Sequence, residues 1–464
     1  MQPPQPEHPP QRGLVLGPLI QLSWPIAVSM LSYSVMTAVD TLFVGRKGPC
    51  AIAAVGLGGL VSFGLLTFAM GLLRAGKVMI AHAVGANEED RVDIIARSNL
   101  RLSLLLSAVT LAATVAIAPL LARAFDEPLA GRLVVRYVLV RAAAIPFFLM
   151  ATSLRECSQA LGDSRRPMNA ALAANLANIP FNAWLVLGLD WGVVGSALAN
   201  VLAQAIDFGC LAMQRRGWLK RGGIDGAAVW RILRLGWPLG VEMFLDVSSF
   251  AALAFIIARF GAVELAAHQI ALQVSQLAIL PLLALAEAAS VLVGQASGAR
   301  RLDAVRPIVR SALWVGLSYA AVLGLVLTLG HESIAGLFTD DRGVHWLSAL
   351  LIQMVAGFQL GFVLYSVGRA VLRGLGDLRF TALTTVGVAW ICTPTLGLLL
   401  GHYLGWGVVG GWCGISVEIT VASVLYLRRL ERGGWARAGQ RLRAEPEFEP
   451  ELRSAPNRTM IART

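Results

Sequence analysis

Apolar stretches follow one another from Leu14 to Arg428, each long enough to cross a bilayer as a helix, which takes about 20 residues. No other feature narrows the possible folds as far. The ten-residue alternation of a membrane β-barrel is absent. Twelve spans are predicted, at 14–44, 51–82, 98–122, 133–160, 168–189, 192–214, 227–259, 264–295, 308–330, 344–372, 380–402 and 407–428. Several exceed twenty residues, which implies tilt, kinks or protrusion. The composition agrees: 56% of residues are hydrophobic and 14% charged, against about 25% charged in soluble chains. The expected class is an all-α integral membrane protein.

The formal charge of +11 does not indicate nucleic-acid binding, because Lys and Arg lie between the apolar stretches and in the tail. With the N-terminus inside, 27 of them fall on the inner side and seven on the outer, so both termini are predicted to be cytoplasmic in the inner (plasma) membrane. The expected division is a disordered N-terminus at 1–13, a first lobe at 14–214, a basic cytoplasmic linker at 215–226, a second lobe at 227–428 and a disordered tail at 429–464. The N-terminus lacks a signal-peptide apolar region of its own. The five cysteines are scattered with no metal or redox spacing.

The two halves repeat each other. At an offset of 213, Trp24-Pro25 falls on Trp237-Pro238, Gly48 on Gly261, and Gly85-Ala86 on Gly298-Ala299. Arg155–Asp163 falls on Arg369–Asp377 at 214, and WGVVG recurs at Trp191 and Trp406 at 215. Such repeats mark transporters, with substrate and ion sites between the copies. Six spans per copy make the halves parallel, related by an axis along the membrane normal. Two pseudo-symmetric six-helix halves are therefore predicted.

The repeated phrases are P-I-x(13)-D-T-x-F-V-G from Pro25 to Gly45, Q-A-L-G-D-x-R-x-P from Gln159 to Pro167, N-L-x-N-I from Asn175 to Ile179, A-A-H-Q-I from Ala266 to Ile270, V-G-Q-A-x-G from Val293 to Gly298, and L-R-G-L-G-D from Leu372 to Asp377. In this order they resemble the multidrug and toxic compound extrusion (MATE) family over about residues 14–430, with features of its NorM-like and DinF-like branches. The resemblance implies that the halves form two six-helix lobes around a central cleft. It also implies export of drugs, organic cations or metabolites in exchange for protons or sodium.

An acid inside a span is a functional candidate by default, since an ionised carboxylate in hydrocarbon is costly. Asp40, in the first span, stands where the family carries its first-span acid, and is expected to couple transport to a proton. Glu242 and Asp246 lie four apart on one face of the seventh span. They are expected to titrate as a pair and form a second cation locus, or else to partner a nearby Arg. Glu287 superposes on Arg74 across the repeat and is expected to meet it at the lobe interface, as a gate or cavity pair. Lys77 lies one turn further inward. Asn178 and Asn182, one turn apart in the fifth span, are expected to supply hydrogen bonds where DinF-like members have an Asn and an Asp. Tyr33 and Gln359 are further cavity candidates; Gln359 sits one turn from Phe362, where NorM-like members carry an Asp. The carboxylate missing at Phe362 favours protons over sodium, with sodium at Asp40 or Asp246 as the alternative, while Asn182 cannot itself carry a proton. Arg155 and Glu156 are expected to be structural, and His82 an interfacial polar residue. Met30, Met36, Phe63, Phe68, Phe147, Phe148, Met150 and Phe244 are candidates for a soft aromatic lining or for plain core and lipid-facing residues.

The expected function is a monomeric antiporter exporting cationic or amphipathic small molecules by alternating access, with no cofactor. A related two-lobe flippase for lipid-linked sugars is the alternative. Its cationic cavity is opposed by the in-span acids and favoured by Arg74, Lys77 and Arg141. An intramembrane enzyme lacks any HExxH, GxSxG or paired-Asp motif here.

Overall fold

The computed structural model describes residues 15–124, 128–219 and 225–436. The stretch 1–13, the linker core at 220–224 and the tail beyond 436 lie outside the described residues. The helices are α1 (Leu16–Gly45), α2 (Pro49–Gly85), α3 (Glu89–Leu121), α4 (Pro128–Ala142), α5 (Ile145–Ala160), α6 (Arg165–Asn182), α7 (Gly192–Gln214), the short α8 (Arg216–Leu219), α9 (Gly226–Ala258), α10 (Ala262–Gly298), α11 (Val305–Gly336), α12 (Arg342–Gly374), α13 (Leu378–Leu396) and α14 (Gly407–Glu431). Eleven of these are long and apolar enough to cross a membrane, counting α6 and α13 with the wider π turns that continue them. The bent pair α4–α5 supplies a twelfth span, as expected.

The predicted fourth span is thus two helices, meeting at 49°. Pro146 lies in the first turn of α5 and has no N–H to donate, so the helix restarts there. Polar residues set other ends: Asp225 accepts from Ala227 N and Ala228 N at the start of α9, and Asp341 from Val344 N at the start of α12.

The repeat extends to backbone conformation. Gly48 and Gly261, which precede α2 and α10, have φ of 103° and 132°, a region that favours glycine. The π turns Ala183–Gly188 and Gly397–Tyr403 occupy matching places after α6 and α13.

Helices α1–α7 form one lobe and α9–α14 the other. They meet along α2 against α9, α1 against α10, and α2 against α10. We call the side on which α1 begins proximal and the opposite side distal. The interlobe seam is proximal. Leu19, Leu22 and Ile26 of α1 join the second lobe's core. Glycines bring the backbones together there: a Cβ on Gly71 would stand 2.3 Å from Leu239 O, one on Gly85 1.9 Å from Gln295 O, and one on Gly298 2.0 Å from His82 O. Distally, each helix turns to its own lobe. Val44, Ala51 and Val55 pack on Tyr137, Val193 and Ala197, while Leu253 packs under Gly397 and Gly411. The cleft therefore closes proximally and opens distally.

Candidate substrate cavity and cation site

Asp40 lies one turn from the distal end of α1, where an apolar helix carries its acid sideways into its own lobe. It is 4% exposed. Asn182 Nδ2 of α6 donates to Oδ1 at 2.8 Å, and Asn200 Nδ2 of α7 donates to Oδ2 at 3.5 Å. Asn182 is itself steadied by Asn178 Oδ1 at 3.0 Å. No ion pair reaches Asp40 among the described residues; Arg141, whose Nη1 donates to Tyr137 Oη at 2.6 Å, is the cation that acts on it. Asp40, Asn178 and Asn182 are thus brought together as the sequence suggested. Asn200 joins them from α7, and no sequence signal singled it out.

In front of this group is a cavity of about 390 Å³ on the first-lobe side of the cleft. Asn200, Arg141 and Met36 form the wall between it and Asp40. Its apolar faces include Ile26, Met30, Phe63, Leu66, Met70 and Phe148. Of the soft-lining candidates, Met30, Met36, Phe63 and Phe148 line the cavity; Phe68, Phe147, Met150 and Phe244 do not. Tyr33 lines it too, held by a bond to Asp207 Oδ2 at 2.8 Å. Arg155 pairs with the same carboxylate at 2.5 Å and lies over the Tyr33 ring, 5.2 Å from its centroid. Arg155 is therefore a cavity residue, although it was expected to be only structural.

The cavity's proximal floor is a four-charge cluster that crosses the lobe seam. Glu287 of α10 meets Lys77 at 2.8 Å and Arg74 at 3.5 Å, both of α2. Glu156 of α5 meets the same two cations, at 3.2 Å and 3.8 Å. Gln159 accepts a further bond from Lys77 Nζ at 2.9 Å. The expected Arg74–Glu287 pair exists, but Lys77 is the better partner and Glu156 completes the balance. Lys77 does not snorkel to the inner surface; at 5% exposure it is locked in the cluster. Removing one member of a buried network strands the others. Lys77→Met is expected to cost about 3–5 kcal/mol, and Lys77→Met with Glu287→Gln less than the single change, read as thermal unfolding midpoints.

In the second lobe, Glu242 and Asp246 are not two bare like charges. Arg373 donates to Glu242 at 2.6 Å, and Arg369 lies 3.8 Å from Glu242 and 3.6 Å from Asp246. Each acid thus faces a guanidinium of α12. The sequence placed Arg373 in a loop; it is in the last turn of α12 and reaches inward. Gln359 is fully buried in α12 and does not line the cavity.

At the proximal seam the two lobes exchange matching bonds. His82 Nε2 of α2 bonds Gly374 O of α12 at 2.7 Å, and Gln295 Nε2 of α10 donates to Ala160 O of α5 at 2.9 Å. His82 and Gln295 are repeat equivalents, as are Ala160 and Gly374. One lock is therefore built twice about the pseudo-two-fold axis.

The MatE family model matches residues 25–184 and 238–399, one match in each lobe. The chain belongs to the MatE family. This MATE protein is 33% identical over 434 residues to a probable multidrug resistance protein NorM from Burkholderia pseudomallei, covering 89% of this chain and 92% of the relative. It is 31% identical over 422 residues to the multidrug resistance protein NorM of Burkholderia vietnamiensis, covering 87% and 91%. Its fold matches a solved MATE structure in complex with MaL6 with a TM-score of 0.84, at 22% identity, covering 92% of this chain and 98% of that one. It also matches an outward-facing MATE multidrug resistance transporter at 0.81 and 22% identity, covering 93% and 97%. The expected family, all-helical two-lobe fold and non-enzymatic class are borne out. The MATE chain is a multi-span membrane transporter.

Proposed function

We propose that this MATE protein exports cationic or amphipathic small molecules from the cytoplasm in exchange for protons, by alternating access between its lobes. On this reading the proximal face is cytoplasmic in the inner membrane, as the basic residues suggest, and the distal opening faces outward. One observation carries the reading: an acid nine-tenths and more buried, free of any ion pair among the described residues, sits directly behind the wall of an amphipathic cavity.

Asp40 takes a proton from the distal side, and the loss of its charge weakens the hold on a cationic substrate. Proton and substrate thus oppose each other's binding, and linkage requires the effect to be reciprocal. Protons suit this site better than sodium. Asn182 and Asn200 turn N–H donors towards the carboxylate, where a sodium ion needs oxygens. Asp246, the other candidate for sodium, faces a guanidinium.

The flippase reading draws on Arg74, Lys77, Arg141 and Arg155, which all line the cavity. Arg74 and Lys77 are neutralised by Glu156 and Glu287, and Arg155 by Asp207, which leaves little free charge for a pyrophosphate.

Proteoliposomes loaded with a fluorescent organic cation test the coupling. An imposed pH gradient is expected to drive its accumulation, and a sodium gradient at equal pH to drive none. Accumulation under sodium alone would overturn proton coupling.

A further inference from the structure

The buried charges of the first lobe balance. Asp207 faces Arg155, Glu156 and the second lobe's Glu287 face Arg74 and Lys77, and Asp40 has Arg141 as its neighbouring cation. The group around Glu418 in the second lobe does not balance. Three carboxyls, Glu242, Asp246 and Glu418, share two guanidiniums, Arg369 and Arg373, while the buried Arg231 of α9 lies apart, near His82 and Arg91. Glu242 and Asp246 hold both guanidiniums. Glu418, on α14, is 4% exposed and has no ion pair among the described residues; it accepts one hydrogen bond, from Thr393 Oγ1 of α13.

We propose that Glu418 carries the proton that this excess requires, and that the second lobe is therefore a proton site separate from Asp40. An ionised carboxylate with one hydroxyl donor and no ion pair, facing a guanidinium, Arg369, that already serves Glu242 and Asp246, is costly in a membrane interior, and a single proton removes that cost.

The position supports the assignment. Pro180 of α6 and Pro394 of α13 align at an offset of 214, and α7 aligns with α14 at 215. The gap between α6 and α7 supplies Asn182 and Asn200 to Asp40. The corresponding gap between α13 and α14 supplies Thr393 and holds Glu418 itself. Each lobe thus encloses one carboxyl without an ion pair between its last two helices. The first lobe's acid reaches the gap from α1, and the second lobe's grows from α14.

The groups facing Glu418 are Asp246 from α9, Arg369 and Tyr365 from α12, and Thr393 and Cys392 from α13; from α10, His268 lies nearer the distal end, bonded to Trp412. When Glu418 gives up its proton, the new charge competes with Asp246 for Arg369. The bridge between α9 and α12 then loosens, which links protonation to α9, whose Gly236 and Gly240 pack against Leu72 and Phe68 of α2 at the lobe seam. Under the proton-antiport reading above, on which this step rests, two protons move per cycle. The protonation of Glu418 itself does not depend on that reading.

Infrared difference spectroscopy of the full-length protein in lipid vesicles, titrated across pH, tests the site without a substrate. Wild type is expected to show two carbonyl-stretch bands of protonated carboxyls. Glu418→Gln removes one, Asp40→Asn removes the other, and Thr393→Val shifts the Glu418 band by deleting its donor. Bands unchanged in Glu418→Gln overturn the proposal. Should that variant not fold, an unshifted spectrum in Thr393→Val overturns it equally. Equilibrium accumulation of the fluorescent cation then reads the stoichiometry. At a tenfold proton gradient and zero membrane potential, about 100-fold is expected for wild type and about tenfold for Glu418→Gln. Failure of wild type to accumulate the cation would count against antiport, while the infrared bands still decide Glu418.

Discussion

Replacing Asp40 by Asn is expected to cut gradient-driven accumulation about tenfold or more, to no more than the single proton of Glu418 can drive, while leaving the fold intact. The two side chains have nearly the same shape. The amide oxygen introduced by Asp40→Asn can still accept from Asn182, so neither packing nor the local hydrogen bonds need fail. What is lost is the ability to alternate between charged and neutral forms, and coupling needs two states with different affinities. Asp40→Asn should therefore still bind the fluorescent cation and exchange it downhill, with an affinity whose pH dependence falls to what Glu418 contributes. In wild type, binding should weaken on acidification, because protonation removes the negative charge behind the cavity wall. Glu in place of Asp should restore part of the coupling. The measurement is uptake into proteoliposomes under an imposed pH gradient, with binding followed by fluorescence. Full gradient-driven transport by Asp40→Asn would remove Asp40 from the mechanism.

The second large effect is expected from a single methyl group. A Cβ on Gly298 would stand 2.0 Å from His82 O, and one on Gly85 would stand 1.9 Å from Gln295 O. Real Cβ contacts essentially never fall below 3.0 Å, and the obstructing atoms are backbone. Gly298→Ala must therefore part the lobes by about 1 Å at the seam. The lock bonds from His82 to Gly374 and from Gln295 to Ala160 begin at 2.7 Å and 2.9 Å, so they would be stretched beyond useful length. Overpacking at about 1–3 kcal/mol and two lost hydrogen bonds at about 1 kcal/mol each together amount to about 3 kcal/mol or more. That shifts the equilibrium between lobe arrangements by about a hundredfold or more, away from proximal closure. Spin labels on the proximal ends of α2 and α10 should report longer distances in Gly298→Ala and Gly85→Ala alike. Transport should fall in both variants. Unchanged distances would mean that the seam is not a two-state contact.

These two sites differ in how visible they were beforehand. Asp40 stood out because an acid in an apolar helix is rare and costly, so one letter carries a large energetic signal. Asn178 and Asn182 were found with it through the resemblance to DinF-like members, which carry an Asn and an Asp at that spacing. Asn200 was invisible, since an amide in a helix of moderate hydropathy is unremarkable until α7 packs against α6. Glu156 and Gln159 looked like residues at a helix end. They became cavity floor only because α4 and α5 bend at Pro146 and direct α5 across α2. The Glu242–Asp246 spacing was read correctly as one face. Which arginines face the pair was not legible, because Arg369 and Arg373 come from α12, more than a hundred residues away, and helical periodicity within α9 does not report on them. His82 and Gln295 had been matched across the repeat, yet their partners are backbone carbonyls, which leave no mark in side-chain patterns.

The sequence by itself determined the membrane class, the twelve spans, the duplication and the presence of an acid, Asp40, inside an apolar helix. Each of these follows from energies local to one helix: the transfer of apolar side chains into lipid, and the cost of a charge placed there. The tertiary structure decided which charges cancel, which acids are left without a cation, and on which side the cleft closes. Those are differences between pairs of helices, and they depend on distances of a few ångströms that no single helix contains.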